Sequence, residues 1–347
     1  MAVSNKIVVS TKRLGKQFLR VLDFHSLTVR VDVAIQKYRK NLTPTPCLEP
    51  LEIRSETPLK DDLLVTTQTG LMLVCNGRAF RILPGRYFGL TRKNQTWHVF
   101  RVVSQFSGSL LSLVVDAGRA NDVRCLYSYL HPTVHQIDAT EEGLVVCETG
   151  LNRLLLFPWG KQFTSRQTIY PVGKARRGMA GYAHMNSHFT FCEQHYVVCH
   201  NDTRHTGKPS ELLVLDKTWS LMQRISLNAS CAHNIAFYEG VRLLCDSGNG
   251  RLLIGHRALD CGGFTRGLAL ADDVAYVGVS AFAPREERRR HNGHIFQINL
   301  RTLRVEGHIQ LLNVGSIYEV RLASRPDMSI SVEHLLAHQL QQITTMC

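Results

Sequence analysis

Between residues 63 and 322 the apolar residues come in short runs, several of them alternating with polar ones, and the runs are separated by turns rich in Gly, Asn and Asp. Short apolar runs bounded by such turns predict strands. Two windows carry the same pattern. Thr133–Leu156 and Cys231–Ile254 each read His-x-Ile, then Gly, an apolar run, Cys, an acid, Ser or Thr, Gly, and finally Asn shortly before Arg-Leu-Leu. A unit repeated at fixed period buries its apolar face only against its neighbours, so the repeat decides the architecture.

Read unit by unit, complete sets of strands start near Phe88, His135, His184, His233 and Arg266. Two fragments remain. Residues 63–83 give three strands without a first one, and Ser316–Leu322 is a first strand without followers. Pairing the second fragment with the first completes a blade and removes two open sheet edges. The expectation is an all-β, six-bladed β-propeller, closed by its C-terminal strand on an N-terminal three-stranded blade. The steps between His135, His184 and His233 are 49 residues each (184 − 135 and 233 − 184), the size of a four-stranded blade. The domain reading is a basic arm or small added element over 1–60, the propeller over 61–322, and a tail over 323–347 with helical apolar spacing.

Composition adds bounds. Apolar content of 44% is ample for a core, and no apolar run is long enough to span a bilayer as a helix. Ten cysteines occur without a Cys-x-x-Cys pair, and Cys147, Cys199 and Cys245 fall at matching points inside apolar strands, which suits buried free thiols in a reducing compartment. That favours the cytoplasm. The basic first forty residues keep a mitochondrial matrix presequence as the alternative. The net charge of +13 implies an anionic partner. A small anionic substrate fits better than nucleic acid, because the basic residues are scattered and no basic–aromatic motif appears.

The segments Asp246-Ser-Gly-Asn-Gly-Arg-Leu-Leu and Glu148-Thr-Gly-Leu-Asn-Arg-Leu-Leu resemble the core of NHL-type repeats. More widely, residues 63–322 resemble the six-bladed propellers that include gluconolactonase-like and strictosidine-synthase-like enzymes. The resemblance implies the fold. In the lactonase branch it would also imply an axial metal held largely by carboxylates and Asn, whereas this chain shows histidines at the blade starts.

Those starts align as Phe88, His135, His184, His233, Arg266 and Tyr318. Three successive blades put an imidazole at one position, aimed at the axis. Neutral imidazoles with open positions beside them suit a catalytic zinc, iron or copper ion. The competing reading is a polar channel lined by water-bonded histidines. Glu148, His200 and Asp246, at the ends of second strands, are placed to brace those rings, or else to bond turn amides inside their own blades. Arg266 is expected to hold a substrate anion or pair with Glu319, Tyr318 to donate a proton or simply pack, and Glu319 to complete the catalytic set beside them. Two longer basic loops, 201–209 and 281–293, should rise on the same face, either as lids or as solvated loops of no special role. No Gly-x-Ser-x-Gly, Walker or Rossmann motif occurs. The reading is a metal-dependent hydrolase or lyase for a small anion. The alternatives are a non-catalytic scaffold for an acidic protein or nucleic acid, and a His-ligated iron oxygenase, since axial histidine-held iron in a propeller resembles the carotenoid-cleaving oxygenases.

Overall fold

A computed structural model describes residues 43–325, apart from Gln162 and Arg285, and a hairpin of Lys6–Arg13 and Lys16–Asp23. The hairpin belongs to a separate unit, residues 1–43, and pairs antiparallel from Lys6–Asp23 to Arg13–Lys16. The expected helical tail falls outside the described residues from 326 onward.

Residues 44–325 form six sheets. Blade 1 holds Leu63–Thr67, Gly70–Cys75 and Arg78–Pro84, and its innermost strand is Ile317–Leu322 from the far end of the chain. The ring is therefore closed as the two sequence fragments require, with Leu322 opposite Leu63 and Ile317 opposite Thr67. The innermost strands of blades 2 to 6 are Arg86–Lys93, Val134–Ala139, Met185–Phe191, His233–Tyr238 and Phe264–Ala271.

One boundary moves. Residues 49–57, grouped with the arm on sequence, are built into the ring. Glu49–Pro50 pairs with Arg78–Pro84 at the outside of blade 1, and Ile53–Thr57 pairs with Arg304–Leu311 at the outside of blade 6. Both are edge strands, where a proline is tolerated because one side needs no donor.

Each blade is sandwiched between two others, so its second strand is apolar on both faces. Gly143–Glu148 and Val274–Ser280 are buried along their whole length, while the outermost Leu221–Ser226 is almost wholly exposed. Cys147, Cys199 and Cys245 lie in such strands, fully buried and free, and burial pushes their thiols well up. They are packing residues.

Polar side chains bridge all six seams of the ring. Thr66 Oγ1 donates to Phe88 O. Ala139 N donates to Thr91 Oγ1 at 3.1 Å and His188 N to Gln136 Oε1 at 2.5 Å. Asn186 Nδ2 donates to Ala232 O at 2.7 Å, Gly267 N to Asn234 Oδ1 at 2.8 Å, and Ile317 N to Ser280 Oγ at 2.9 Å. Adjacent inner strands approach so closely that a Cβ on Gly267 would meet Val320 N at 2.8 Å, and its φ of +83° also calls for glycine. Among the described residues no helix is long and apolar enough to cross a membrane.

Candidate axial site

Every innermost strand carries a register shift near its start, between Tyr87 and Leu90, Val134 and Ile137, Met185 and Ser187, His233 and Ile235, Thr265 and Leu268, and Ile317 and Glu319. A bulge bends the strand and re-aims a side chain. At this face the six starts surround a cleft of about 830 Å³. Its lining includes His135, His184, His200 and His233, six arginines (Arg86, Arg176, Arg177, Arg204, Arg266 and Arg288), and a single carboxylate, Asp202.

The imidazoles converge, but not by equivalent positions. His233 lies opposite Cys245 in blade 5, whereas Met185, not His184, lies opposite Cys199 in blade 4. His184 sits one residue upstream of the expected register. Its left-handed backbone, φ +52°, redirects the ring, a conformation that His adopts more readily than bulky residues. The rings of His135 and His184 then lie 5.1 Å apart and those of His135 and His233 5.9 Å. His200 joins them as a fourth member: it stacks on His184 at 4.3 Å and meets His233 at 5.4 Å.

Asp202 escaped the sequence reading. It follows Asn201 in the first of the two basic loops, and both residues are left-handed, with φ of +49° and +54°. Asn and Asp tolerate that conformation. The pair turns the chain into a single helical turn, Thr203–Thr206, and returns the Asp202 carboxylate to His184 Nδ1 at 2.6 Å. Arg177 Nε stands 3.5 Å from the other oxygen. The bond to His184 leads the causes that hold Asp202 at a pKa of about 2. Burial is the first cause that keeps the four imidazoles neutral. It drives His135 and His233 well below the usual histidine range and His200 to about 3, with Arg266 adding to each; His184 is also lowered, against the pull of Asp202.

Arg266 is buried in the floor. Its guanidinium lies 4.9 Å from the Tyr318 ring centre and 5.3 Å from Phe88, and it donates to His135 O at 3.3 Å. Burial lowers its pKa to about 10. Tyr318 lines the cleft and stacks on Phe88 at 4.1 Å. Three expectations need correction. Glu319 lies below the cleft, accepting Asn234 Nδ2 at 2.9 and 3.1 Å and Arg321 NH1 at 2.8 Å, so it is part of the support and not of the reacting surface. Glu148 accepts His131 N at 2.7 Å and Arg153 Nε at 2.5 Å, and Asp246 accepts Ser230 N at 2.7 Å together with Asn249 and Arg251. Both acids close turns of their own blades and neither braces an axial ring, because the turn donors that precede and follow their strands reach them first.

The donor set fits a divalent transition ion. His135 Nδ1, His184 Nε2 and His200 Nδ1 are buried without hydrogen-bond partners, His200 Nδ1 lying 3.9 Å from Asp202 Oδ1. His184 has its Nδ1 held by a carboxylate, and His233 donates from Nδ1 to Cys231 O at 2.8 Å, with Ser247 Oγ at 3.0 Å. Such bonds fix the tautomer of a ligating imidazole. Among the described residues, the set whose ligand atoms lie within 4.8 Å of one another is His184, His200 and Asp202, not the trio His135, His184 and His233. The register offset in blade 4 is the reason: it turns His184 toward its own second strand.

No family model matches the chain, and no curated protein does. Solved structures do. One is a chain of the nidogen–laminin complex, at 10% identity and a TM-score of 0.58, covering 76% of this chain and 99% of that one. Another is a protein of unknown function from Bacteroides caccae, at 12% identity and a TM-score of 0.53, with the same coverage of 76% and 99%. The chain has the fold of the six-bladed propellers. At these identities the likeness carries architecture and no activity.

Proposed function

We propose that the chain is a propeller enzyme, a metal-dependent hydrolase or lyase, that acts on a small anionic substrate in the axial cleft. One observation carries the reading. His184 is braced by Asp202 at 2.6 Å while its other nitrogen is buried and unsatisfied, inside a cleft whose remaining charges are arginines. His184 and His200 would hold the ion, with Asp202 beside them and His135 and His233 within reach. A bound zinc, iron or copper would supply Lewis-acid polarisation or an activated water.

The residues of the chain divide the remaining work. Asp202 keeps the proton on His184 Nδ1 and Nε2 open. Arg266, held against the stacked Phe88 and Tyr318 rings, offers a fixed positive charge to a substrate carboxylate or phosphate. Arginines outnumber the cleft's one carboxylate, Asp202, and a metal cation would raise that excess of positive charge, which supports a negatively charged substrate.

The test is metal analysis of protein purified without a histidine tag. Stoichiometric metal, lost from a His184→Ala, His200→Ala double variant that still folds, is the expected result. No metal in the unaltered protein would overturn the metal site. If that protein also bound RNA or an acidic protein tightly and salt-sensitively, the scaffold reading would replace the enzyme.

A further inference from the structure

The axial cleft has a neighbour. A second cavity of about 650 Å³ is lined by Gln68, Thr69, Arg81, Pro84, Gly85, Arg86, Arg289 and Asn313. Gln68 and Arg86 line both cavities, so the two meet at these side chains. The second cavity holds three arginines and no carboxylate. Arg81 gives NH1 to Glu49 at 2.9 Å, yet its Nε is buried without a partner, as is that of Arg86. Arg289 is exposed at the rim.

Arg86 and Arg266 crowd the same pair of rings. The Arg86 guanidinium lies 4.8 Å from the Phe88 ring centre and 5.9 Å from Tyr318, and Arg266 lies 5.3 and 4.9 Å from the same two. Two cations on one aromatic pair repel each other, and ring faces offset only part of that. A ligand with negative charge on either side of Arg86 removes the conflict; a single compact anion at Arg266 leaves Arg289 and the open Nε of Arg81, whose NH1 is held by Glu49, without an anion in the second cavity.

We propose that the cleft takes an elongated ligand with two anionic groups, one seated at Arg266 among the imidazoles and the other past Arg86, at Arg81 and Arg289. This rests on the anion-binding reading above and narrows the substrate to molecules charged at both ends. The first group would be the one presented to His184 and His200, and the second would set reach and selectivity.

The probes are an alkylphosphonate, with one charged head, and α,ω-alkanebisphosphonates of increasing length, titrated calorimetrically into the intact protein. At one length the two-headed probe should bind about tenfold tighter than the one-headed probe, the value of one good charged contact. An Arg81→Met, Arg289→Ser double variant should lose that advantage and keep the one-headed affinity within about twofold. Arg257→Ser, which removes one positive charge from the outer strand of blade 5 as Arg289→Ser does from the second cavity, should keep the advantage. Should the double variant fail to fold, the exposed Arg289→Ser alone carries the comparison. The proposal is overturned if no two-headed probe exceeds the one-headed one, or if the advantage survives the double variant. If neither probe binds, the anion-binding reading of the axis falls as well.

Discussion

Blades 3 and 5 end their second strands on Cys147-Glu148 and Cys245-Asp246, and blade 4 ends its own on Cys199, with His200 following directly. In the first two the acid is wholly consumed by the blade: Glu148 is 1% exposed and Asp246 0%, and each accepts a backbone amide from before the blade and an arginine from the next strand. In blade 4 an imidazole takes the place of the acid, and the carboxylate reappears two residues later, on His184. The following loop is then tied by other means. Asn201 Nδ2 donates to Pro209 O at 2.9 Å, Thr203 Oγ1 to His200 O at 2.8 Å, and Thr206 Oγ1 to Asn201 O at 2.7 Å. The same slot in the repeat thus serves the fold in two blades and the cleft in the third.

That contrast is best tested by exchanging its parts. Asp246→Ala should have the largest effect, a loss of about 3 kcal/mol in urea unfolding, because it leaves a buried amide and the Arg251 side chain without their acceptor. Metal content of the folded fraction should be unchanged; a loss of metal would mean that the acid acts at the axis after all. Asp202→Asn should do the reverse. Stability should fall by about 1 kcal/mol or less, while metal affinity drops about 10- to 100-fold through the freed His184 ring. Equal loss of stability in the two variants would erase the distinction between the blades.

Proton uptake sharpens the contrast further. His200 has a folded pKa of about 3 against an ordinary 6.5, so the unfolded chain binds the extra proton between those values. Stability therefore falls as pH drops below 6.5, by up to about 1.4 kcal/mol per pH unit for one such group. Asp202, at about 2 against 3.8, contributes stability that is present above 3.8 and lost as pH falls toward 2. His200→Gln should flatten the stability–pH slope between pH 6.5 and about 4 by close to one proton; an unchanged slope would place the ring in contact with water. The smallest effect is expected at Arg224→Gln. Its bidentate bond to Glu211, at 2.6 and 3.0 Å, is the solvent-facing counterpart of Asp246–Arg251, and with Arg224 53% exposed the loss should be about 0.5 kcal/mol.

The ring itself was legible in the sequence for a mechanical reason. Residues 63–83 lack a first strand and 316–322 lack followers, and two open sheet edges in one chain are resolved by pairing them. The outer strands 49–50 and 53–57 were not legible, because edge strands need little apolar content and the first of them carries a proline. At the site, His135 and His233 stood out through their shared His-x-Ile signature. His184 stood out too, but the equal spacing of 49 residues hid its one-residue offset, since a bulge and a left-handed residue cost nothing in the count. His200, read as a brace for the axial rings, stands in the structure as a ring of the cluster itself, stacked on His184. Asp202 lay outside any repeat, in a segment that read as a basic lid, and the Asn-Asp pair beginning that segment, with Gly207 closing it, was the clue to a tight turn there.

The Arg266 seat is assembled from three parts of the chain that meet only where the circle is joined: Phe88 belongs to blade 2, Tyr318 to the final strand of blade 1, and Arg266 to blade 6. Occupancy and ring closure are therefore thermodynamically linked. A molecule held there fastens the clasp between the last strand and the first sheet, so saturating ligand should slow the peeling of Ile317–Leu322 more than the fraying of any outer strand.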